Sequence, residues 1–409
     1  MKICIIGAGL TGLTAAHALS GNNEVDILEK TSMSGGCLSS YRTDRYYIER
    51  YYHHCFEGDD RLFSLLNQLG LKNQLEWHNG TTGYYSRDTI YPLNTPLEIL
   101  RYPELSLFDK ARLAWLTIRA KGIDTDALDS VTAEDYIVRH LGKRIYSSFF
   151  EPLLRSKFGA RRSEISAAWL ISRVKIRSNR GSSGERLGYL KGGFHLLIEG
   201  LESSITSRGG RLFCNNPATV IKKTGEGWQV NGTGYDAVLS TIPPQELGKA
   251  GGPATIPVPY QGAACMTLAL DRQVTNGIYW LNMKDEAPYG AVVSHTNFIP
   301  AGEYGEHLVY LGSYFTGMIR PDLDRLMLDD FRRRFSVSDN SIHWSRLAID
   351  QFAGPVYTTG FRDLIQAYGE EGLFMAGMFS RPNYPERSME GSVIAGFDVA
   401  EIIDPEGSR

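Results

Sequence analysis

The chain has no Cys-x-x-C pair, no His-Glu-x-x-His helix and no Gly-x-Ser-x-Gly elbow, and each absence closes off a class of chemistry. Five scattered cysteines among 409 residues (Cys4, Cys37, Cys55, Cys214 and Cys265) form an odd, unpatterned set, so neither a disulfide framework nor a zinc site is expected. Without a nucleophile elbow, no hydrolytic machinery can be assigned. No apolar run reaches the roughly 18 residues that a membrane span requires. An excess of one charge is also missing. With 43 basic and 46 acidic residues the net charge is −3, so nothing points to nucleic acid. Reduced thiols and a first strand that opens at residue 2 make a soluble, cytoplasmic chain the expectation. Nothing in the sequence sets an oligomeric state.

What is present is a globular composition, with 42% hydrophobic and 22% charged residues, in a chain too long for one core. "KICII" at 2–6 is the continuous apolar run of a strand buried on both faces. Residues 10–19 have helical spacing, and residues 25–28 form a second buried strand, which completes a βαβ unit. From about residue 76 the texture becomes helical, with capping boxes at "SLFD" (106–109) and "TAED" (132–135). In the first of these helices Leu107, Ala111, Ala114, Trp115 and Ile118 share one face, while Lys110, Arg112, Arg119 and Lys121 lie off it. Such a stripe suits a membrane surface; the expectation is that it packs on its own domain. The α/β texture returns at 188–247, gives way to a sheet-rich block with the basic helix "LDRLMLDDFRRRF" at 248–355, and closes the chain at 356–405. The expected fold is therefore α/β. Residues 1–75, 188–247 and 356–405 form one discontinuous Rossmann-type domain, and 76–187 (helices) with 248–355 (sheet) form an inserted substrate domain.

The first forty residues carry the strongest signal. In "IIGAGLTGLTAA", Gly7 permits a tight turn, Gly9 lets backbone approach a diphosphate, and Gly12 lets the helix pack near the strand. The amides of Leu10 and Thr11 then open the helix toward the phosphates. Glu29 ends the second strand twenty residues after Gly9, placed to accept from a ribose diol, with Lys30 beside it where an NADP site would favour arginine. FAD and NAD share this unit. A second turn, Gly35–Gly36, follows the acid in "EKTSMSGGCLSSY".

That acid followed by a Gly-Gly turn resembles the extended fingerprint of the FAD-dependent amine oxidase, protoporphyrinogen oxidase and phytoene desaturase superfamily. Cys37 stands where those proteins usually place Arg, so either Arg42 or Arg45 supplies that cation or the contact is absent. "GYLKGGFHLLIEGL" (188–201), "NNPATVIKK" with "YDAVLSTIPP", and "LFMAGMF…MEGSVIAGFDVA" are similar to further segments of the same superfamily. The likeness, which covers about half the chain, implies FAD as cofactor and a glutathione-reductase-like FAD domain. It also implies adenine near Ala218 or Val220, a ribityl contact at Gly377, and amides of Gly391, Ser392 and Val393 near the flavin. "YIERYYHHCF", "IYPLNTP" and "SRPNYPERSM" resemble shorter segments of UDP-galactopyranose mutase, with Ser388 in place of that family's Asp.

The resemblance implies hydride transfer from a small, anionic or sugar-nucleotide substrate to flavin N5. The alternative is a redox-neutral, mutase-like reaction on a nucleotide sugar. His53 and His54 are the candidate catalytic residues, either to hold charge at the flavin edge or to act as base. The basic block Arg155, Lys157, Arg161, Arg162, Arg173, Lys175, Arg177 and Arg180 suits a phosphate or carboxylate, or else ion pairs with Glu151 and Glu164. From it Arg155, Arg173 and Arg177 are the candidate substrate contacts, together with Tyr314 and Tyr384. Tyr84, Tyr85 and Tyr91 suit a cavity wall or a core equally well. No metal site is expected.

Overall fold

A computed structural model describes residues 1–177, 185–253 and 255–407. The first strand, Lys2–Ile6, lies inside a six-stranded sheet ordered Gly369–Glu370, Leu373–Met375, Ala237–Ser240, Lys2–Ile6, Glu24–Leu28, Arg211–Phe213. Its central pairs are parallel, with Cys4 opposite both Val238 and Asp26. The alternation of its side chains explains why "KICII" is apolar throughout. Ile3 and Ile5 join the core with helices Leu10–Leu19, His195–Ser207 and Met389–Ile403. Cys4 and Ile6 join Trp228 and Val230 of a small antiparallel sheet formed by Ile221–Thr224, Gly227–Val230 and Thr233–Tyr235. Each fully buried isoleucine contributes about 1.5–3 kcal/mol relative to exposure.

The second large sheet has seven strands, ordered Ile342–Pro355, Tyr260–Leu270, His307–Phe315, Ala291–Ser294, Trp280–Met283, Thr82–Ser86, Thr89–Pro92. Its last two strands come from the block expected to be helical. "TGYYS" and "TIYP" are rich in β-formers, and Arg87 and Asp88 (φ 51° and 54°) make the two-residue turn that pairs them. Basic helix Leu323–Phe335 covers this sheet through Leu323, Met327, Phe331 and Phe335, one apolar row at four-residue spacing. Helices Leu107–Ala120, Ala133–Leu141, Glu151–Phe158 and Ala167–Arg177 surround a third core that includes Leu116, Ile137, Ile145 and Ile171.

In helix Leu107–Ala120 the expected face is the wrong one. The buried residues are Asp109, Lys110, Leu116 and Ala120, whereas Leu107 and Ile118 are 73% and 79% exposed. Lys110 can turn inward because its Nζ donates to the Leu100 carbonyl at 2.7 Å, which satisfies the charge while its stem is buried. No helix among the described residues is long and apolar enough to cross a membrane.

Candidate active site

The two glycine turns meet. Gly35 N–H donates to the Ala8 carbonyl at 2.7 Å, and Gly9 and Gly35 form a parallel bridge. A Cβ on Gly36 would stand 3.2 Å from the Gly9 Cα, and one on Gly12 would lie 2.1 Å from the Gly7 carbonyl oxygen. Gly7 has φ +101°, a conformation other residues adopt only with strain. A Cβ on Gly9, in contrast, would meet nothing within 4 Å. Gly9 caps helix Leu10–Leu19 without a side-chain oxygen, so the first amides of that helix are left for a ligand. Glu29 is buried beside this turn. Its Oε2 accepts from Ala8 N–H at 2.9 Å, and its Oε1 accepts from Thr31 N–H and Oγ1–H, both at 2.8 Å. Free helix amides, open space at Gly9 and a carboxylate at the second strand's end fit a dinucleotide diphosphate and ribose.

These groups line a cavity of about 570 Å³. Gly7, Gly9, Leu10, Thr11, Glu29 and Lys30 face it, as do Gly35, Cys37, Ala218 and Gly377. Gly12 and Gly36 act behind it, through the close packing just described. Val220 does not line the cavity and is 43% exposed. The closing helix spans Met389–Ile403, so Gly391, Ser392 and Val393 all lie within its first turns. Ser388 caps it, and Ser388 Oγ takes the Gly391 N–H at 2.9 Å, so that amide is already engaged. Val393 is fully buried away from the cavity, and of the three expected contacts only Ser392 lines it. Gly377 is held by its neighbours, its N–H donating to Ser380 Oγ at 3.0 Å.

Arg42 and Arg45 do not supply a cation beside Cys37. Arg42 lies over the Tyr47 ring and Arg45 pairs with Glu306 at 3.7 Å. The cation facing the cavity near Cys37 is Arg387. Burial and then Asp350 push the Cys37 thiol up to about 12, with Arg387 opposing, so it remains protonated at neutral pH.

Both candidate histidines line the cavity. His53 Nδ1 donates to the Tyr51 carbonyl at 2.7 Å, and burial lowers the ring to about 4, so at neutral pH it is uncharged with Nε2 as the acceptor. His54 Nδ1 is 3.1 Å from the Tyr279 hydroxyl, within a ring of Phe56, Trp280 and Phe298. Tyr314 also faces the cavity, its hydroxyl 3.2 Å from that of Tyr52.

The remaining substrate candidates divide. Arg173 lines the cavity, with NH1 3.4 Å from Glu386 Oε1. Arg155 lies outside it, donating to the Lys284 carbonyl at 2.9 Å and pairing with Glu151 at 3.5 Å. Arg161 and Arg162 form the ion pairs with Glu164 and Glu151. Arg180 and the side chain of Arg177 lie outside the described residues. Tyr384 is structural: its hydroxyl donates to Asp129 at 2.6 Å and its ring stacks on Phe361. Tyr84 is also a core residue, donating to the Phe149 carbonyl, and Tyr85 and Tyr91 do not reach the cavity.

The sequence did not single out Lys157, Glu386 and Arg387 as a group. Lys157 Nζ is 3.3 Å from Glu386 Oε1 and 4.8 Å from the centre of the Trp169 ring. Arg387 lies against Gly354, where a Cβ would stand 2.3 Å from its Nε. The group thus sets three cations (Lys157, Arg173, Arg387) against one carboxylate. Asp350 is the next acid, with one oxygen accepting from Phe352 N–H at 2.8 Å. Among the described residues, no cluster of His, Cys, Asp and Glu could hold a metal ion.

The chain is similar to zeta-carotene desaturase of Zea mays, 28% identical over 239 residues, which are 52% of this chain and 42% of that protein. It is also similar to coproporphyrinogen III oxidase of Staphylococcus aureus, 23% identical over 60% of this chain and 61% of the relative. The matches thus span about half the length of these curated relatives. Among solved structures, the putative protoporphyrinogen oxidase of Exiguobacterium sp. 255-15 superposes with a TM-score of 0.78 at 19% identity, covering 99% of both chains. Reduced UDP-galactopyranose mutase reaches a TM-score of 0.75 at 17% identity over 98% of this chain and 95% of that one. At such identities these likenesses speak for the fold alone. The sequence model of flavin-containing amine oxidoreductases matches residues 10–404, so the chain belongs to that family, with FAD as its cofactor.

Proposed function

We propose that this enzyme oxidises a small molecule bearing a phosphate or carboxylate, a phosphorylated sugar or sugar nucleotide being one such anion. The supporting observation is that one cavity is lined both by the glycine-turn cradle and by Lys157, Arg173 and Arg387. FAD, when bound, supplies the hydride acceptor at N5. The chain's own part is to bind and orient. Residues 1–75, 188–247 and 356–405 hold the dinucleotide, and 76–187 with 248–355 form most of the substrate side, to which Tyr52, Glu386 and Arg387 of the first set also reach. The arginines take the anionic group in paired hydrogen bonds. Glu386 keeps Lys157 and Arg173 turned into the cavity, and the two tyrosine hydroxyls (Tyr52 and Tyr314) offer a polar edge. Neutral His53 can accept a proton at Nε2 but cannot hold a negative charge.

The test is anaerobic titration of the purified flavoprotein with phosphorylated sugars, simple carboxylates and amines, followed by visible absorbance. An anionic compound should bleach the flavin band, and simple amines should leave it intact. Bleaching by an amine with no response to any anion would overturn the substrate class. Turnover of a nucleotide sugar that needs prior flavin reduction and consumes no reductant would favour the mutase-like alternative.

A further inference from the structure

Helices Pro96–Arg101 and Leu107–Ala120 turn a row of large apolar side chains outward. Leu97, Leu100, Leu107, Phe108, Trp115 and Ile118 are 55%, 51%, 73%, 65%, 46% and 79% exposed. Residues 107, 111, 115 and 118 recur at helical spacing on one face, and the Lys110–Leu100 hydrogen bond at 2.7 Å ties the second helix to the first. Among the described residues, nothing covers this face.

Among residues 96–121, the charges that no cap or ion pair engages are of one sign. Arg101 and Lys121 are exposed and Arg119 lies 5.0 Å from the Trp115 ring centre, while Arg112, 4.5 Å from the Phe108 ring centre, donates to the Leu141 carbonyl at 2.8 Å. The acids of the same segment are engaged elsewhere. Glu98 closes the Thr95 cap, Asp109 closes the Ser106 cap and meets Arg144 at 3.3 Å, and Glu104 is paired with Lys284. Free positive charge flanking exposed aromatic and aliphatic tips matches an anionic phospholipid surface, where rings and leucines sink into the interface and cations meet headgroups. Self-association is disfavoured, because a two-fold contact would set the same cations against each other. We propose that this two-helix face docks the enzyme peripherally on anionic membranes.

The test is co-sedimentation of the flavin-loaded full chain with phosphatidylcholine vesicles containing one third phosphatidylglycerol, against vesicles of phosphatidylcholine alone. The wild type should pellet with the anionic vesicles and be released by salt. Leu107→Ser/Ile118→Ser and Arg119→Glu/Lys121→Glu should each weaken partitioning by about tenfold or more. Thermal melting and flavin absorbance should not change, because these side chains lie on the surface. Wild-type protein that stays in the supernatant would overturn the proposal. So would a dimer in gel filtration that Leu107→Ser/Ile118→Ser dissolves, or an acidic protein that binds the face while vesicles do not.

Discussion

Lys157 Nζ and Arg173 NH1 share one oxygen of Glu386, at 3.3 and 3.4 Å, while the other oxygen, Oε2, is buried without a hydrogen-bond partner among the described residues. Two cations on one carboxylate oxygen, with Arg387 nearby, leave positive charge to be met from the cavity. Burial is the main cause that lowers Lys157 to about 7, with Glu386 opposing it and the two arginines adding to it. An anionic substrate should therefore bind more weakly as pH rises through about 7 and Lys157 loses its proton. Lys157→Met should remove that step and raise KM on the order of tenfold, the worth of one hydrogen bond between charged groups. The check is KM as a function of pH for both proteins.

The same depression has a sign in stability. The folded Lys157 titrates near 7 and the unfolded one near 10.5, so between these values the unfolded chain holds more protons and stability rises with pH. Denaturant melts across this window should show a rise in the wild type that is smaller in Lys157→Met. Equal slopes would mean that the ammonium is better solvated than its burial implies.

Gly9 and Gly12 separate cofactor binding from folding. Gly9 has φ −76°, and a Cβ there would meet nothing within 4 Å, so Gly9→Ala should fold and melt like the wild-type apoprotein. The added methyl would project at the diphosphate cradle, and FAD should be lost on dialysis. Gly12→Ala sets its methyl 2.1 Å from the Gly7 carbonyl, a backbone atom that cannot step aside. It should destabilise the apoprotein as well, by the ~1–3 kcal/mol of an overpacked core, seen as a lower melting temperature.

Glu29 does two jobs with one carboxylate, tying Ala8 to Thr31 and ending at the cavity. Glu29→Gln keeps the shape but replaces one acceptor oxygen by a donor, opposite either Ala8 N–H or Thr31. Flavin affinity should fall about tenfold or more, for loss of a charge-assisted hydrogen bond, with far-UV circular dichroism unchanged. Unaltered retention would show that the ribose contact lies elsewhere.

The glycine-turn end of the cavity was legible because backbone geometry restricts it to glycine at particular spacings. Gly7, Gly12 and the Gly35–Gly36 pair each answer a close approach that can be read one residue at a time. The basic end was less legible because it joins distant segments. Lys157 and Glu386 are brought together by tertiary packing, and no local spacing announces their contact. Arg155 and Tyr384 looked equivalent to Arg173 and Tyr314 by residue type, but Arg155 is taken by Lys284 and Glu151, and Tyr384 by Asp129. Helix Leu107–Ala120 misled for a different reason. Counting apolar residues chose its face, while capping and the Lys110 hydrogen bond to Leu100 turned the polar side inward.

Arg387 and Arg155 offer the sharpest comparison of the two kinds of arginine. Arg387 faces the cavity on Gly354, where burial disfavours its charge and the Glu386 carboxylate offsets that cost. Its planar fork can hold a phosphate or carboxylate with two bonds, which lysine cannot copy. Arg387→Lys should therefore raise KM for an anionic substrate by about tenfold to a hundredfold, the range of a lost charged hydrogen bond, while flavin content stays unchanged. Arg155→Met removes only a half-exposed pair and one carbonyl contact, so KM should stay within about twofold and stability within about 1 kcal/mol. Steady-state kinetics of both variants at one pH decide the matter: equal KM values would place the anion away from Arg387.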